Sequence, residues 1–240
     1  WIVFNGEIYN YLELRSELKK KGHIFSSTSD TEVIIHQYEE DGEDCLRKFN
    51  GMFSFVIWDR RNRKLFGARD RAGIKPLYYY VSDKKLILAS EIKAILAFGI
   101  EPKVNYPIMM DYIVSGISDH TAKAFYMNIN QLLPGHYMQV DLDNLNFVTK
   151  KYFNIASLDN KNYTCKDFEL AIYNSIKLHL RSDVPVGTCL SGGLDSSTVA
   201  TIASAYYMSQ PKMKFSAVTA ESESEYNSEV QYAKKVVDSN

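Results

Sequence analysis

The grammar of the chain changes once, and that change constrains the fold more than any other feature. Up to about Leu142 short β-forming runs dominate, with helical stretches between them. Around "NFVTKKYFNIASLDNKNYT" the period is lost and the sequence turns polar. Beyond it helix and strand alternate: a helix from about Asp167 to Leu180, the strand "VPVGTCL", a glycine turn, a helix from about Asp195 to Tyr207, the strand "KFSAVT" and the helix "EVQYAKKVV". Alternation of that kind builds a parallel α/β sheet, whereas the first pattern builds layered antiparallel sheets. Two domains of different class follow, at 1–145 and 164–240 with a linker at 146–163. At 240 residues and 45% hydrophobic content the chain has enough apolar material for two moderate cores.

In the first part, "WIVFN" reads as a strand ending at an Asn5-Gly6 turn signal. Leu12, Leu14 and Leu18 then mark an amphipathic helix stopped by Gly22. Ser29 and Glu32 have capping-box spacing ahead of Val33, Ile34, Gln37 and Tyr38 at helical period. In "MFSFVIWD", Phe53, Phe55 and Ile57 share one face and Ser54, Val56 and Trp58 the other, so both faces are mostly apolar and the strand belongs inside a sandwich. "RNRKLFGARD", "PLYYYVSDKKLILAS" and "GHYMQVDL" give further strands, and "EIKAILAFG" a helix closed by Gly99.

Charge excludes some partners. The formal net charge is −1 and no block of like charges occurs, which disfavours nucleic acid and anionic membranes. No apolar run approaches transmembrane length and no secretory pattern opens the chain, so a soluble, cytoplasmic protein is expected. Cys45, Cys165 and Cys189 are odd in number and widely spaced, as reduced cytosolic thiols are.

The sharpest chemical signal is "LSGGLDSS", Leu190 to Ser197. A strand running into Ser191-Gly192-Gly193 and a helix opening near Asp195 make an anion cradle: glycines allow close approach, and a helix N-terminus offers unpaired N–H groups. Ser191 and Ser196 add hydroxyls, and Asp195 suits an anion that arrives with Mg²⁺. The competing reading is a bare tight turn with Asp195 as helix cap. The loop lacks the Gly-Lys-Ser/Thr of a P-loop and the dinucleotide fingerprint.

"SGGLDSS" after a hydrophobic strand resembles the pyrophosphate loop of the ATP pyrophosphatases. The resemblance implies an adenine nucleotide alpha hydrolase-like α/β domain in which Ser191, Gly192, Gly193, Asp195 and Ser196 hold the departing pyrophosphate. It further implies that Asp195 contacts Mg²⁺ and that Leu190 and Val218 touch the adenosine. "FNGEIYN" resembles the glutamine pocket of class II amidotransferases, and of the asparagine synthetase family in particular. That likeness implies an α+β domain, an αββα Ntn-hydrolase-like sandwich. In it the Asn5 amide and Gly6 N–H form an oxyanion hole, and Glu7 and Asp30 grip the amino group of glutamine. "NGEIYN", "SDTEVI", "FNGMFSFVIWD", "RDRAGIKPLYY", "ASEIKAIL" and "SDVPVGTCLSGGLDSS" follow in the family's order.

The resemblance implies glutamine hydrolysis through a cysteinyl thioester and ammonia transfer to a β-aspartyl adenylate made from aspartate and Mg-ATP. Asparagine, glutamate, AMP and pyrophosphate are the products, and a homodimer is compatible with the family. The family's nucleophile is an N-terminal cysteine, and its synthetase domain runs further than this one, so the chain reads as a fragment cut at both ends. "FSAVTAESESEY" departs from the Val-Gly-Phe pattern of many housekeeping synthetases, which keeps open another carboxylate acceptor, such as that of a cell-surface sugar. A non-catalytic binding protein lacking the nucleophile is the reading from a different class. Arg69, Asp70, Arg71 and Lys75 read as a structural turn with solvated charges, His36 and Cys189 as packing residues, and "ESESEYNSE" as a solvated loop.

Overall fold

The computed structural model of the protein describes residues 1–82, 85–144, 146–158, 162–209, 215–221 and 229–239. The chain divides into two compact units, Trp1–Asp159 and Asn160–Asn240.

The first unit begins with β1 (Ile2–Ile8), α1 (Tyr11–Lys20), α2 (Asp30–Asp41), the short α3 (Cys45–Lys48), β2 (Gly51–Asp59) and β3 (Lys64–Arg69). It continues through the β4 (Tyr78–Ser82) and β5 (Lys85–Ala89) pair, α4 (Ile92–Leu96), α5 (Tyr106–Ser115), β6 (Ile129–Gln131), β7 (His136–Asp141) and β8 (Phe147–Lys151). One antiparallel sheet has the order β1-β2-β3-β7-β8 and a second the order β5-β4-β6.

The alternation along β2 sorts its side chains as the sequence predicts. Phe53, Phe55 and Ile57 are buried against Leu14 and Leu18 of α1 and Val33 and Ile34 of α2, in a core that also holds Phe49 and Phe66. Val56, on the opposite face, packs with Leu77, Leu132 and Met138 against the second sheet. The far side of that sheet, through Tyr78, Tyr80 and Ile87, covers Ile95 of α4. Helix, sheet, sheet, helix is therefore the layer order, the sandwich that the resemblance implies. Each of the buried phenylalanines contributes roughly 1.5–3 kcal/mol of transfer free energy.

Four local readings in the first unit need correction. The strand does not end at Asn5-Gly6: β1 runs on to Ile8, with Gly6 opposite Phe53. Gly6 is there because backbones meet, since a Cβ on it would lie 2.0 Å from the Met52 carbonyl oxygen and its φ is +143°. Ser29 caps α2 through Thr31 N–H, but Glu32 does not close a capping box. Its carboxylate accepts from the Ser26 and Ser27 amides and the Ser27 hydroxyl, which hold its pKa down at about 2. The Ser-rich loop offered it nearer donors than the cap. A true capping box forms instead at Thr164 and Asp167.

The polar stretch taken as linker contains β8, hydrogen-bonded to β7 from Phe147 to Lys151. As an edge strand, exposed at Val148 to Lys151, it carries little apolar pattern to announce it. Lastly, Arg69 and Asp70 are structural but not solvated, at 7% and 1% exposure. Asp70 accepts from the amides of Phe53, Ala72, Ile74 and Lys75, and Arg69 donates to the carbonyls of Gly73, Lys75 and Leu132 and to the Gln131 side chain. The charges are buried because backbone groups of the turn satisfy them.

The second unit contains α6 (Cys165–His179), β9 (Gly187–Cys189), α7 (Leu194–Met208), β10 (Ser216–Val218) and α8 (Val230–Asp238). β9 and β10 pair in parallel, and Leu190, Ala200 and Ala233 form the small core beside them. Cys189 is exposed, not packed as the hydrophobic run suggested, because its side chain lies outside that core. Most of "ESESEYNSE", 222–228, lies outside the described residues. No helix among the described residues is long and apolar enough to cross a membrane.

Candidate functional site

Each of the two units carries one candidate site. The first is carried by β1, an end strand of its sheet. Along an antiparallel strand successive N–H groups point to opposite edges. Tyr9 N–H reaches the Asn50 carbonyl on the β2 side. Phe53, opposite Gly6, spends both backbone groups on Asp70, which makes Gly6–Phe53 a pair without mutual hydrogen bonds. Gly6 N–H therefore points away from β2, to the open edge.

Beside it, the Asn5 side chain lies on the face toward the second sheet, where its Nδ2 donates to Ser90 Oγ at 3.2 Å. Asn5, Ser54, Leu77, Leu88 and Ser90 line a cavity of about 180 Å³. Glu7 shares Asn5's face by strand alternation and is half-buried. Asp30, first residue of α2, accepts the Ile8 N–H on Oδ2 at 2.9 Å, which ties α2 to the end of β1. The strand thus gathers a backbone donor, an amide donor and two carboxylates within four positions of its length, counting Asp30 by the residue it holds. This set suits an α-amino acid whose side-chain carbonyl turns negative during reaction: donors for the oxygen, carboxylates for the ammonium.

Ser90 was missed from the sequence. Ser90 lies inside "ASEIKAIL", and only the fold brings it across to Asn5. Cys45 is excluded as a nucleophile there, since burial foremost, with Asp41 beside it, pushes its thiol pKa far up.

The second site is the turn from β9 into α7. Gly193 is the N-cap of α7 and no side chain among the described residues caps the helix. Asp195 is thus not the cap: it is the second helical residue and exposed. The hydroxyls of Ser191 and Ser196 stand 2.9 Å apart, and Gly193 N–H donates to Ser191 Oγ at 3.3 Å. Ser197 Oγ is buried with no hydrogen-bond partner. An uncapped N-terminus, two converging hydroxyls and an orphaned third fit an anionic group with several acceptor oxygens. Val218 is 69% exposed at the end of β10, whereas the Leu190 side chain is in the core and its N–H bonds the Val218 carbonyl.

The two glycines of the loop differ. Gly192 has φ +83°, and a Cβ there would lie 2.4 Å from Tyr232 Cβ and 2.7 Å from Ala233 N on α8. Gly193 has φ −71°, and a Cβ would meet only Ser191 Oγ at 3.4 Å. Gly192→Ala is therefore expected to cost about 2 to 5 kcal/mol in urea unfolding, from backbone strain plus overpacking. Gly193→Ala should stay within about 1 kcal/mol of wild type. Equal losses would contradict this division of roles.

Comparison with known proteins gives matches over both units. The family profile "Glutamine amidotransferase domain" matches residues 1–153, and "Asparagine synthase" matches residues 167–240. Asparagine synthetase [glutamine-hydrolyzing] 3 of Bacillus subtilis (strain 168) is 38% identical over 215 residues, 88% of this chain and 35% of the relative. A putative asparagine synthetase [glutamine-hydrolyzing] 2 of Methanocaldococcus jannaschii is 38% identical over 205 residues, 82% of this chain and 39% of the relative. The chain thus spans little more than a third of the length of these relatives. A solved structure of glutamine phosphoribosylpyrophosphate amidotransferase from B. subtilis, 22% identical, aligns with a TM-score of 0.45 over 90% of this chain and 45% of that one.

Proposed function

The chain belongs to the glutamine amidotransferase domain family, and on that premise we propose that it is the adjoining parts of the glutaminase and synthetase domains of a glutamine-dependent asparagine synthetase. One observation carries the reading: a free strand-edge N–H beside an amide donor, and an uncapped serine-glycine helix start, occur in sequence order on one chain whose two units match the two corresponding profiles.

In the first unit, Gly6 N–H and Asn5 Nδ2 take the amide oxygen of glutamine as it gains charge, and the Ser90 hydroxyl keeps the Asn5 amide turned toward it. Glu7 and Asp30 hold the substrate ammonium, Asp30 being fixed by the Ile8 N–H on Oδ2 and the Ser29 hydroxyl on Oδ1. The glutaminase nucleophile of this family is an N-terminal cysteine whose own α-amino group acts as base, and Asn5 and Gly6 serve the oxyanion formed by its attack.

In the second unit the amides at the start of α7, with Ser191 and Ser196, hold the β and γ phosphates of ATP while aspartate is adenylated. Asp195, exposed in the first turn of α7, would hold Mg²⁺, which when bound would neutralise charge on the leaving pyrophosphate. Val218, at the carboxyl end of its strand, stands where ligands bind in parallel sheets and takes the adenosine; Leu190 serves through its backbone position next to it. The protein works in the cytoplasm on glutamine, aspartate and ATP. The test is pyrophosphate release from ATP by the whole protein with and without aspartate: dependence on aspartate supports the reading, and indifference to it moves the acceptor elsewhere.

A further inference from the structure

A pair of histidines lies apart from both sites. His23 follows α1, where Gly22 (φ +97°) turns the chain and His23 N–H closes back on the Leu18 carbonyl at 3.1 Å. His36 lies on α2, with the Phe25 ring edge-on at 4.5 Å between centroids, so the packing role read from the sequence holds for one side of its ring. The other side faces His23. The two Nδ1 atoms stand 3.1 Å apart, and Glu39 Oε2 is 3.3 Å from His36 Nδ1. One ligand atom from each of the three lies within 4.8 Å of the others.

The remaining ring nitrogens meet carboxylates: His23 Nε2 is 3.1 Å from Glu40 Oε2, and His36 Nε2 is 3.8 Å from Glu32 Oε1. Both carboxylates are held in place, Glu40 by Lys21 and Glu32 by the Ser26 and Ser27 amides. Glu40, in hydrogen-bond range of His23 Nε2, favours the tautomer with its proton there, which turns the His23 Nδ1 lone pair toward His36 Nδ1, the nitrogen that Glu39 Oε2 also faces. Two lone pairs at that separation repel unless a cation lies between them. His36 Nδ1 lies 3.1 Å from His23 Nδ1 and 3.3 Å from Glu39 Oε2, which matches two edges of a tetrahedron around an ion with bonds of about 2.0–2.1 Å, the Zn²⁺–nitrogen distance, and the third donor pair lies within 4.8 Å.

We propose that His23, His36 and Glu39 bind a divalent transition metal, Zn²⁺ by ligand type, with Glu40 and Glu32 as outer carboxylates. Two imidazoles and one carboxylate suit Zn²⁺ over Mg²⁺ or Ca²⁺, which prefer oxygen. The ion pins the end of α1 to α2, the helix whose first residue, Asp30, holds β1.

The test is calorimetric titration of the chelator-treated full chain with ZnCl₂, in a Cys165→Ser/Cys189→Ser background so that the two exposed thiols contribute nothing. One equivalent should bind and raise the melting temperature, and Co²⁺ in its place should give the visible absorption of a four-coordinate site. His36→Gln should weaken binding by about 100-fold or more, and Glu40→Gln by about tenfold through the outer carboxylate. Glu39→Gln, with its side chain 52% exposed, leaves the fold intact and should also lose at least about tenfold. Zinc uptake unchanged in the His23→Gln/His36→Gln variant, or none in the parent, would overturn the assignment; in the second case the pair shares a proton instead.

Discussion

Replacing Asn5 by alanine in the whole protein is expected to lower glutamine-dependent asparagine formation by about 10²- to 10³-fold and to leave ammonia-dependent formation unchanged. The magnitude is that of losing one of two donors aimed at an oxygen that becomes negative. The fold tolerates the change: Asn5 makes one side-chain hydrogen bond, to Ser90 at 3.2 Å, and the loss of such a bond costs about 1 kcal/mol. Asn5→Asp is the sharper control, since it keeps the shape and replaces the donor by an acceptor. Gly6 offers no such test, because any Cβ there collides with the Met52 carbonyl and parts β1 from β2. An equal loss with ammonia would show that Asn5 serves only the sandwich.

The converse substitution is Asp195→Asn. It should reduce ATP-dependent synthesis by about 10³-fold or more, with ammonia as well as with glutamine, while glutaminase activity persists. The expected loss is several kcal/mol of charge stabilisation around the leaving pyrophosphate, each 1.36 kcal/mol being tenfold. Unfolding does not account for it, since Asp195 is exposed in the first turn of α7. Removing its charge there costs about 0.3–1 kcal/mol of interaction with the helix dipole. Parallel loss of both activities would count against separate sites.

Much of this arrangement was legible in the sequence, for physical reasons that differ from place to place. The alternation in "MFSFVIWD" fixed which side of β2 faces the helices and which faces the second sheet, because period 2 survives any packing. "SGGLDSS" announced a strand-to-helix turn, and the turn is there, although the approach of α8 that Gly192 also permits left no sign in the sequence. Asn5-Gly6 misled because the same dipeptide serves hairpins and close backbone contacts, and only the partner strand distinguishes them. Arg69 and Asp70 were placed in solvent because sequence shows charges but not the backbone groups that satisfy them. The His23 and His36 pairing was invisible for a related reason. Thirteen positions separate the two, a spacing that signals nothing until α1 and α2 pack side by side.

On the proposed function, one chain joins a glutamine pocket to an ATP loop for the amidation of aspartate. It is tested most directly by giving the whole protein ATP, Mg²⁺ and glutamine labelled with ¹⁵N in the amide, with and without aspartate. Pyrophosphate should be released only when aspartate is present, and the label should appear in the side-chain amide of asparagine. Pyrophosphate release that ignores aspartate, or label found only as free ammonia while ATP is consumed, would contradict it.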